Sequence, residues 1–295
     1  MGLPAGFQKV PAWCLLSPAM LLLGIFVLWP MTRAVWYSFS DAGLLNPDEA
    51  TITGWLNYSD LLSDPRFRRS FLNTALFALM VVPAQTVIAF FLALWVNRPE
   101  PCWRWLRTVF FVPVVVSMPV LAVLWTMLYQ PARGAEMGLV NALLDAVGCS
   151  TQEWLQNPRL ALPAIAFMSV WQGLGFQMMI FLAGLQQLSS EQLEAATIDG
   201  AGSGHRLLYV IIPGMRHSIV FVCTATLVLA FRLFAQPYLM TGGGPEDSTV
   251  SVIQVIYETT FINRDLGGAC AGALLFLALV GLLSLFQRFA REVRS

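Results

Sequence analysis

Residues 189–217 read SSEQLEAATIDGAGSGHRLLYVIIPGMRH, and the fold is decided by how this polar stretch joins the apolar runs on either side of it. Ser189, followed three positions later by Gln192, has the spacing of a capping box, in which two side chains satisfy free backbone N–H groups reciprocally. A helix of about ten residues should start there, pass through Glu194, Ala195 and Ala196, and stop at Gly200, which suits the left-handed conformation past a helix end. A second start near Ser203 leads through Arg206, Leu207 and Leu208 to Pro213. The stretch thus reads as two short helices with a glycine elbow between them. The two alanines keep one face low, so that another backbone can approach closely. Local chemistry alone fits an ordinary capped surface loop equally well.

Outward from this loop the chain becomes apolar. The run before it, 160–190, carries no charged residue, and neither do 10–32, 70–97, 108–132 and 266–287. Each exceeds the ~20 residues needed to cross a ~30 Å hydrocarbon core. The run after the loop, 218–240, is interrupted only by Arg232, whose guanidinium must snorkel to an interface or face a cavity inside the bundle. Six spans follow, at about 12–32, 71–97, 108–130, 160–188, 218–240 and 266–287, with 189–217 as a polar loop of a single transmembrane domain. Backbone groups in lipid must be satisfied internally, and uncharged runs without alternation favour helices over a barrel. The fold class is therefore all-α, a polytopic membrane protein.

Composition agrees. The 295 residues are 57% hydrophobic and only 12% charged, with 17 basic and 17 acidic residues and a single lysine, Lys9. Such a chain lacks the basic face that nucleic acid demands. The first apolar run is too long for a cleavable leader and is followed by no A-x-A-like site, so it should remain as an anchor. With a cytoplasmic N-terminus, the inner segments hold nine bases against eight outside; the compact clusters at 98–107 and 288–294 favour both termini inside, and Arg66, Arg68 and Arg69 count against it. The longest connection, 33–69, reads as a small structured outer cap, and 134–156 as a second one with a helical patch at 140–147. Asn57-Tyr58-Ser59 matches a glycosylation sequon by chance. Cys14, Cys102, Cys149, Cys223 and Cys270 are odd in number and scattered, which reads as buried apolar fillers.

Catalytic signatures are missing. There is no P-loop, and in Gly200-Ala-Gly202-Ser-Gly204-His205 a histidine stands where a dinucleotide loop needs its third glycine. His205 and His217 have no cysteine or carboxylate pair beside them, so no metal site is expected. Neither a nucleophile elbow nor an H-E-x-x-H pair appears, and the chain is not expected to be an enzyme or to bind a cofactor.

The loop resembles the EAA loop of bacterial ABC importer permeases, whose pattern is E-A-A, three residues, G, nine residues, I-x-L-P. Glu194-Ala195-Ala196, Gly200, Val210 and Ile212-Pro213 fall at those spacings, with valine for isoleucine and isoleucine for leucine; Arg216-His217 stand where a further proline is frequent. Residues 54–57 with Asp64-Pro65, 182–186, 198–201 and 241–245 match further landmarks of the carbohydrate-uptake branch, the permeases similar to those for maltose and glycerol 3-phosphate. The resemblance covers nearly the whole chain. It implies a type I importer permease fold in the bacterial inner membrane, a heterodimer with a second permease, two ATPase subunits and an external solute-binding protein. ATP and Mg would belong to the ATPase, with Glu191, Glu194, Ala195, Ala196, Asp199, Gly200, Ala201 and Pro213 coupling to it. It further places the sugar-contacting positions on Ser169, Gln172, Gly173 and Phe176 and on Thr226, Leu229, Ala230 and Leu233. Both sets step by three, one and three, which puts each on one helix face. Ser169 and Gln172 suit hydroxyls, Phe176 a ring face, and Gly173 leaves room for it. The second set is mostly apolar, which leaves more of the work to the partner permease or to nearby Arg232 and Gln236. The competing classes are a secondary carrier, which should embed carboxylates that the five uncharged runs lack, and a membrane scaffold with no ATPase partner.

Overall fold

The computed structural model describes residues 12–132 and 136–292; Lys9, Arg133 and Arg294, which enter the charge comparison across the membrane, lie outside them. The described residues form helices and no strand longer than an isolated bridge. In chain order the helices are α1 (Trp13–Ser38), α2 (Leu56–Ser63), α3 (Pro65–Val96), α4 (Pro101–Val115), α5 (Met118–Leu128) and α6 (Leu139–Ala146). They continue with α7 (Ala161–Gln186), α8 (Ser190–Ile198), α9 (Ser203–Gly214), α10 (Arg216–Phe231), α11 (Ala235–Met240), α12 (Val252–Phe261) and α13 (Leu266–Glu292).

Three of these, α1, α3 and α7, are long and apolar enough to cross a membrane unaided. The expected third span is bent instead: α4 and α5 meet at 100°. Pro119 has no N–H to donate to the carbonyl of Val115, and Val116 and Ser117 are extended between the two helices. The expected fifth span divides in the same way. α10 stops at Phe231, Arg232 caps its C-terminus, and α11 begins three residues later with Pro237 in its first turn. The sixth span starts where expected, and α13 has its apolar stretch at Leu266–Leu282.

Proline also explains two π-helical turns. Residues Gly24–Leu28 lie just before Pro30, and Leu207–Ile211 just before Pro213; in each, the residue after the turn donates its N–H five residues back, Trp29 to Gly24 and Ile212 to Leu207. A widened turn takes up the missing bond and the ring clash that a proline imposes.

Two compact units arise, one formed by residues up to Asp64 with Ile256–Ala278, the other built on Pro65–Val255. In the first, the expected cap is present. The Asn57 amide donates to the Ser38 and Ser40 carbonyls at 3.0 and 2.8 Å, Tyr58 donates to the Ser38 hydroxyl at 2.8 Å, and Leu266 N–H bonds to Ala42. The sequon's amide is thus already engaged. Asp41 accepts from the backbone and hydroxyl of Thr51, which holds its carboxyl below the usual range.

In the second unit, α3 and α7 pack along their length. Ala89 and Ala93, one turn apart and fully buried, bring the backbones close, and Phe90 meets Phe181 edge-on at 5.5 Å. Gly175 of α7 presses on α4 so closely that a Cβ would overlap the Phe110 carbonyl. Gly175→Leu should therefore lose about 3 kcal/mol or more of stability through overpacking, read as a lowered Tm of the purified protein in detergent. Asn141 on α6 uses both ends of its amide, bonding Gln130, Gln152 and Trp154. The glycine segment at 241–245 is likewise tied down. Gly242 and Gly243 take φ of 62° and 92°, Gln254 donates to the Gly242 carbonyl, and Asn73 of α3 donates to Asp247 and Val250 at 2.8 and 3.0 Å. Asn73→Ala leaves two carbonyls without partners in a buried setting and should cost about 2–3 kcal/mol, measured by the same melting assay.

The cysteines correct the sequence reading: Cys14, Cys102 and Cys149 are exposed, and Cys223 and Cys270 are half-buried. Cys14 lies on an apolar helix whose membrane-length window buries nothing, Cys102 in the first turn of α4, and Cys149 just after the turn at Gly148. Apolar character alone therefore places a residue in the core only where the solvent is water.

Candidate functional site

The residues expected to touch solute come together. Ser169, Gln172, Gly173 and Phe176 of α7, Thr226, Leu229 and Ala230 of α10, and Arg232 all border one cavity of about 550 Å³. Leu233 does not: it is 1% exposed and packs in the core, because the chain leaves its helix at Arg232 and the three-one-three spacing no longer holds there.

Polarity within the cavity is layered. The Ser169 hydroxyl donates back to the Ile165 carbonyl at 3.0 Å and keeps its acceptor sites, while Phe176 and Leu229 offer exposed apolar surface. Gln177, absent from the sequence-based set, donates through its amide nitrogen to Thr226, and its carbonyl oxygen Oε1 is buried with no hydrogen-bond partner among the described residues. Thr226 in turn donates to the Val222 carbonyl at 2.7 Å. Gln85 of α3 also reaches the cavity, and it corrects the role expected of Gly173: a Cβ at 173 would overlap the Gln85 amide, so the missing side chain makes room for Gln85 and not for a ring. Gln85 and Gln177 carried one sequence signal, a carboxamide within an uncharged membrane-length run.

Among the described residues Arg232 is the one charged side chain that lines the cavity, and Gln236 lines it too. It caps the C-terminus of α10, where unpaired carbonyls and the helix dipole favour a cation, and it forms no ion pair among the described residues. Of the two sequence alternatives, snorkelling or facing a cavity, the cavity is what the fold presents.

The polar loop forms the two helices and elbow. Ser189 is the N-cap of α8 by its backbone, but its side chain makes no cap bond among the described residues, so the capping box with Gln192 is not made. Glu191 sits in the first turn, where the dipole favours an anion. At the other end Gly200 has φ of 78°, its N–H bonds to Thr197 and that of Ala201 to Ala196, a Schellman ending. Asp199 is the C-cap, and Arg206 of α9 donates to the Thr197 hydroxyl at 3.1 Å, bracing one helix against the other. Glu191, Glu194, Ala195, Asp199 and Gly200 are exposed and Ala196 and Ala201 half-buried; Pro213 stands at the end of α9, which meets α10 at 68°. Ile198, beside the elbow, is 86% exposed, an apolar side chain on a polar helix that belongs to the 198–201 landmark but not to the expected coupling set.

A helical membrane chain with a part-polar cavity between its crossing helices, and a braced helical elbow joining two of them, has the build of a solute permease. The chain belongs to the family of binding-protein-dependent transport system inner membrane components, whose pattern matches residues 51–292. It is therefore a membrane transport component that works with a binding protein, and not itself a catalytic subunit. Similar proteins include the probable ABC transporter permease protein YurN of Bacillus subtilis, 33% identical over 95% of each chain. The sn-glycerol-3-phosphate transport system permease protein UgpA of Yersinia pestis is 32% identical over 96% of this chain and 95% of its own. The sulfoquinovosyl glycerol transport system permease protein SmoG of Agrobacterium fabrum is 31% identical over 92% and 87%. In fold, the chain matches a chain of a bacterial ABC transporter involved in the import of alginate, with a TM-score of 0.81 at 18% identity over 96% of both.

Proposed function

We propose that this chain is one of two permeases in an ABC importer that carries a sugar or sugar-like solute into the cell. The observation that carries the reading is the convergence of eight of the nine expected solute-path residues on one cavity. Hydroxyl, carboxamide and aromatic groups there match the hydroxyls and apolar faces of a carbohydrate or polyol, and the named solutes of SmoG and UgpA, sulfoquinovosyl glycerol and sn-glycerol 3-phosphate, are hydroxylated compounds of this kind. Arg232 suits a solute that also carries an anionic group.

Energy would come from a separate pair of ATPase subunits that hold ATP and Mg. The helix α8, with Glu191, Glu194, Ala195 and Ala196, docks in a groove of one ATPase, and the braced elbow at Asp199, Gly200 and Ala201 passes its displacement through α9 and Pro213 into α10. Closure of the ATPase pair then moves the permeases as rigid bodies and turns the cavity outward. In this reading α8, the N-terminus and the C-terminus are cytoplasmic, the 33–69 cap is external, and the partner permease supplies the other wall of the path.

The test is copurification and ligand. The chain should retain an ATPase and a second permease on mild extraction, and its cognate binding protein should take a hydroxylated solute that raises the ATPase rate of the reconstituted complex. Uptake by the chain alone, with no ATPase bound, would sink the reading.

A further inference from the structure

A second cavity, of about 650 Å³, lies between the first turns of α3 and the approach to α7, at the opposite end of α7 from the polar loop. Its mouth carries Arg68, Arg69 and Arg159, all exposed, and no carboxylate of the described residues lines it. Asp247, next in the chain to its lining residue Ser248, is already paired with Arg66 at 3.0 Å. Arg69 and Arg159 form no ion pair among the described residues. Ser248 is 6% exposed, and its buried hydroxyl oxygen has no hydrogen-bond partner among the described residues. The positive charge thus gathers at one opening, with the buried Ser248 in the wall.

Below this mouth the wall changes character. Leu72, Leu76 and Met80 line it on successive turns of α3, with Leu162 and Pro163 across from them. Leu72 and Leu76 are 59% and 41% exposed. Charges cease after Arg69, so the arginines stand at the membrane surface and the leucines within the hydrocarbon. From Arg69 to Met80 the helix rises by roughly 16 Å, about half of a ~30 Å core. A cationic mouth over an apolar wall one leaflet deep has the dimensions and polarity of a phospholipid with an anionic headgroup.

We propose that this cavity binds an anionic phospholipid, its phosphate held by Arg69, Arg159 and Arg68 and one acyl chain lying along Leu72, Leu76 and Met80. This site is separate from the solute cavity and does not depend on which solute passes.

The assembled transporter, reconstituted in phosphatidylcholine vesicles with and without phosphatidylglycerol and then extracted mildly, supplies the test through the phosphatidylglycerol retained per folded complex in native mass spectrometry. Wild type should retain it in preference to phosphatidylcholine. Arg69→Gln and Arg159→Gln should each lower retention about fivefold. Leu76→Trp, which fills the chain groove without changing charge, should lower it as well, and Arg104→Gln should leave it unchanged. A photoreactive phosphatidylglycerol should label the 72–80 segment in the unaltered protein, which keeps the test valid if a variant fails to assemble. Retention unchanged in the Arg69/Arg159 double variant, or labelling confined to other segments, overturns the proposal. So does equal binding of free glycerol phosphate at the same arginines, which makes the cavity a soluble-anion site. Loss of binding-protein capture with lipid retention intact overturns it in favour of a protein contact.

Discussion

Gly200→Val should leave the importer assembled in the membrane and lower solute-stimulated ATP hydrolysis by roughly ten- to a hundredfold, because it strikes the elbow between α8 and α9 and nothing else. A Cβ at position 200 would meet no atom within 4 Å, so the penalty is not steric crowding by neighbours. It is conformational. Gly200 holds φ of 78°, and a β-branched residue forced into that region costs about 1–3 kcal/mol. The chain would escape by unwinding the Schellman ending, which breaks the Ala201 to Ala196 bond and frees α8 from its brace at Arg206. Gly200→Asn is the informative partner variant, since asparagine tolerates the left-handed region and should keep most of the stimulation. The measurement is ATP hydrolysis by the reconstituted complex with and without loaded binding protein. Normal stimulation in the valine variant would remove the coupling role of this elbow.

Arg232→Gln and Phe176→Ala should both lower uptake, and in different ways. If the solute is anionic, removing the guanidinium deletes the one positive charge that the described residues place on the cavity wall and should weaken transport about ten- to a hundredfold, the range expected for hydrogen bonds to charged groups. A neutral substrate analogue should be indifferent to that change. Phe176→Ala removes the ring and should weaken both solutes by about fivefold to tenfold, as expected for loss of an aromatic contact of about 1 kcal/mol. Gln172→Ala should add a smaller loss. Leu79, 69% exposed on the outer face of α3, is the control, and Leu79→Ala should transport at the wild-type rate. Uptake in the two cavity variants equal to that control, over the same solute range, would exclude this face of α7 and α10 from the path.

These predictions rest on different sources. Gly200 was legible in the chain, because a C-terminal elbow is local chemistry: a helix-forming run, a glycine at its end and a new start three residues on. The apolar runs were legible for a similar reason, since the cost of a charge in hydrocarbon depends on the residue and hardly on its neighbours. Arg232 was visible as an anomaly but not as a site. Its position became clear only when α10 was seen to end at Phe231, which turns a mid-span charge into a helix cap at a cavity wall.

Hydropathy alone therefore determined that the chain crosses a membrane as helices, and the pattern at 194–213 determined the family; both are sums over nearby residues. Tertiary structure decided where those helices bend and which polar groups meet. An uncharged run measures what lipid accepts and carries no backbone direction, so the 100° turn between α4 and α5 needed the proline and its extended neighbours to be placed together. The pairing of Gln177 with Thr226, the seat of Gln85 against Gly173, and the sharing of one cavity by Arg69 and Arg159 bring together residues tens of positions apart. Contacts of that kind depend on how α3, α7 and α10 pack, and small residues such as Ala89, Ala93 and Gly175 set that packing only once their partner helices are in place.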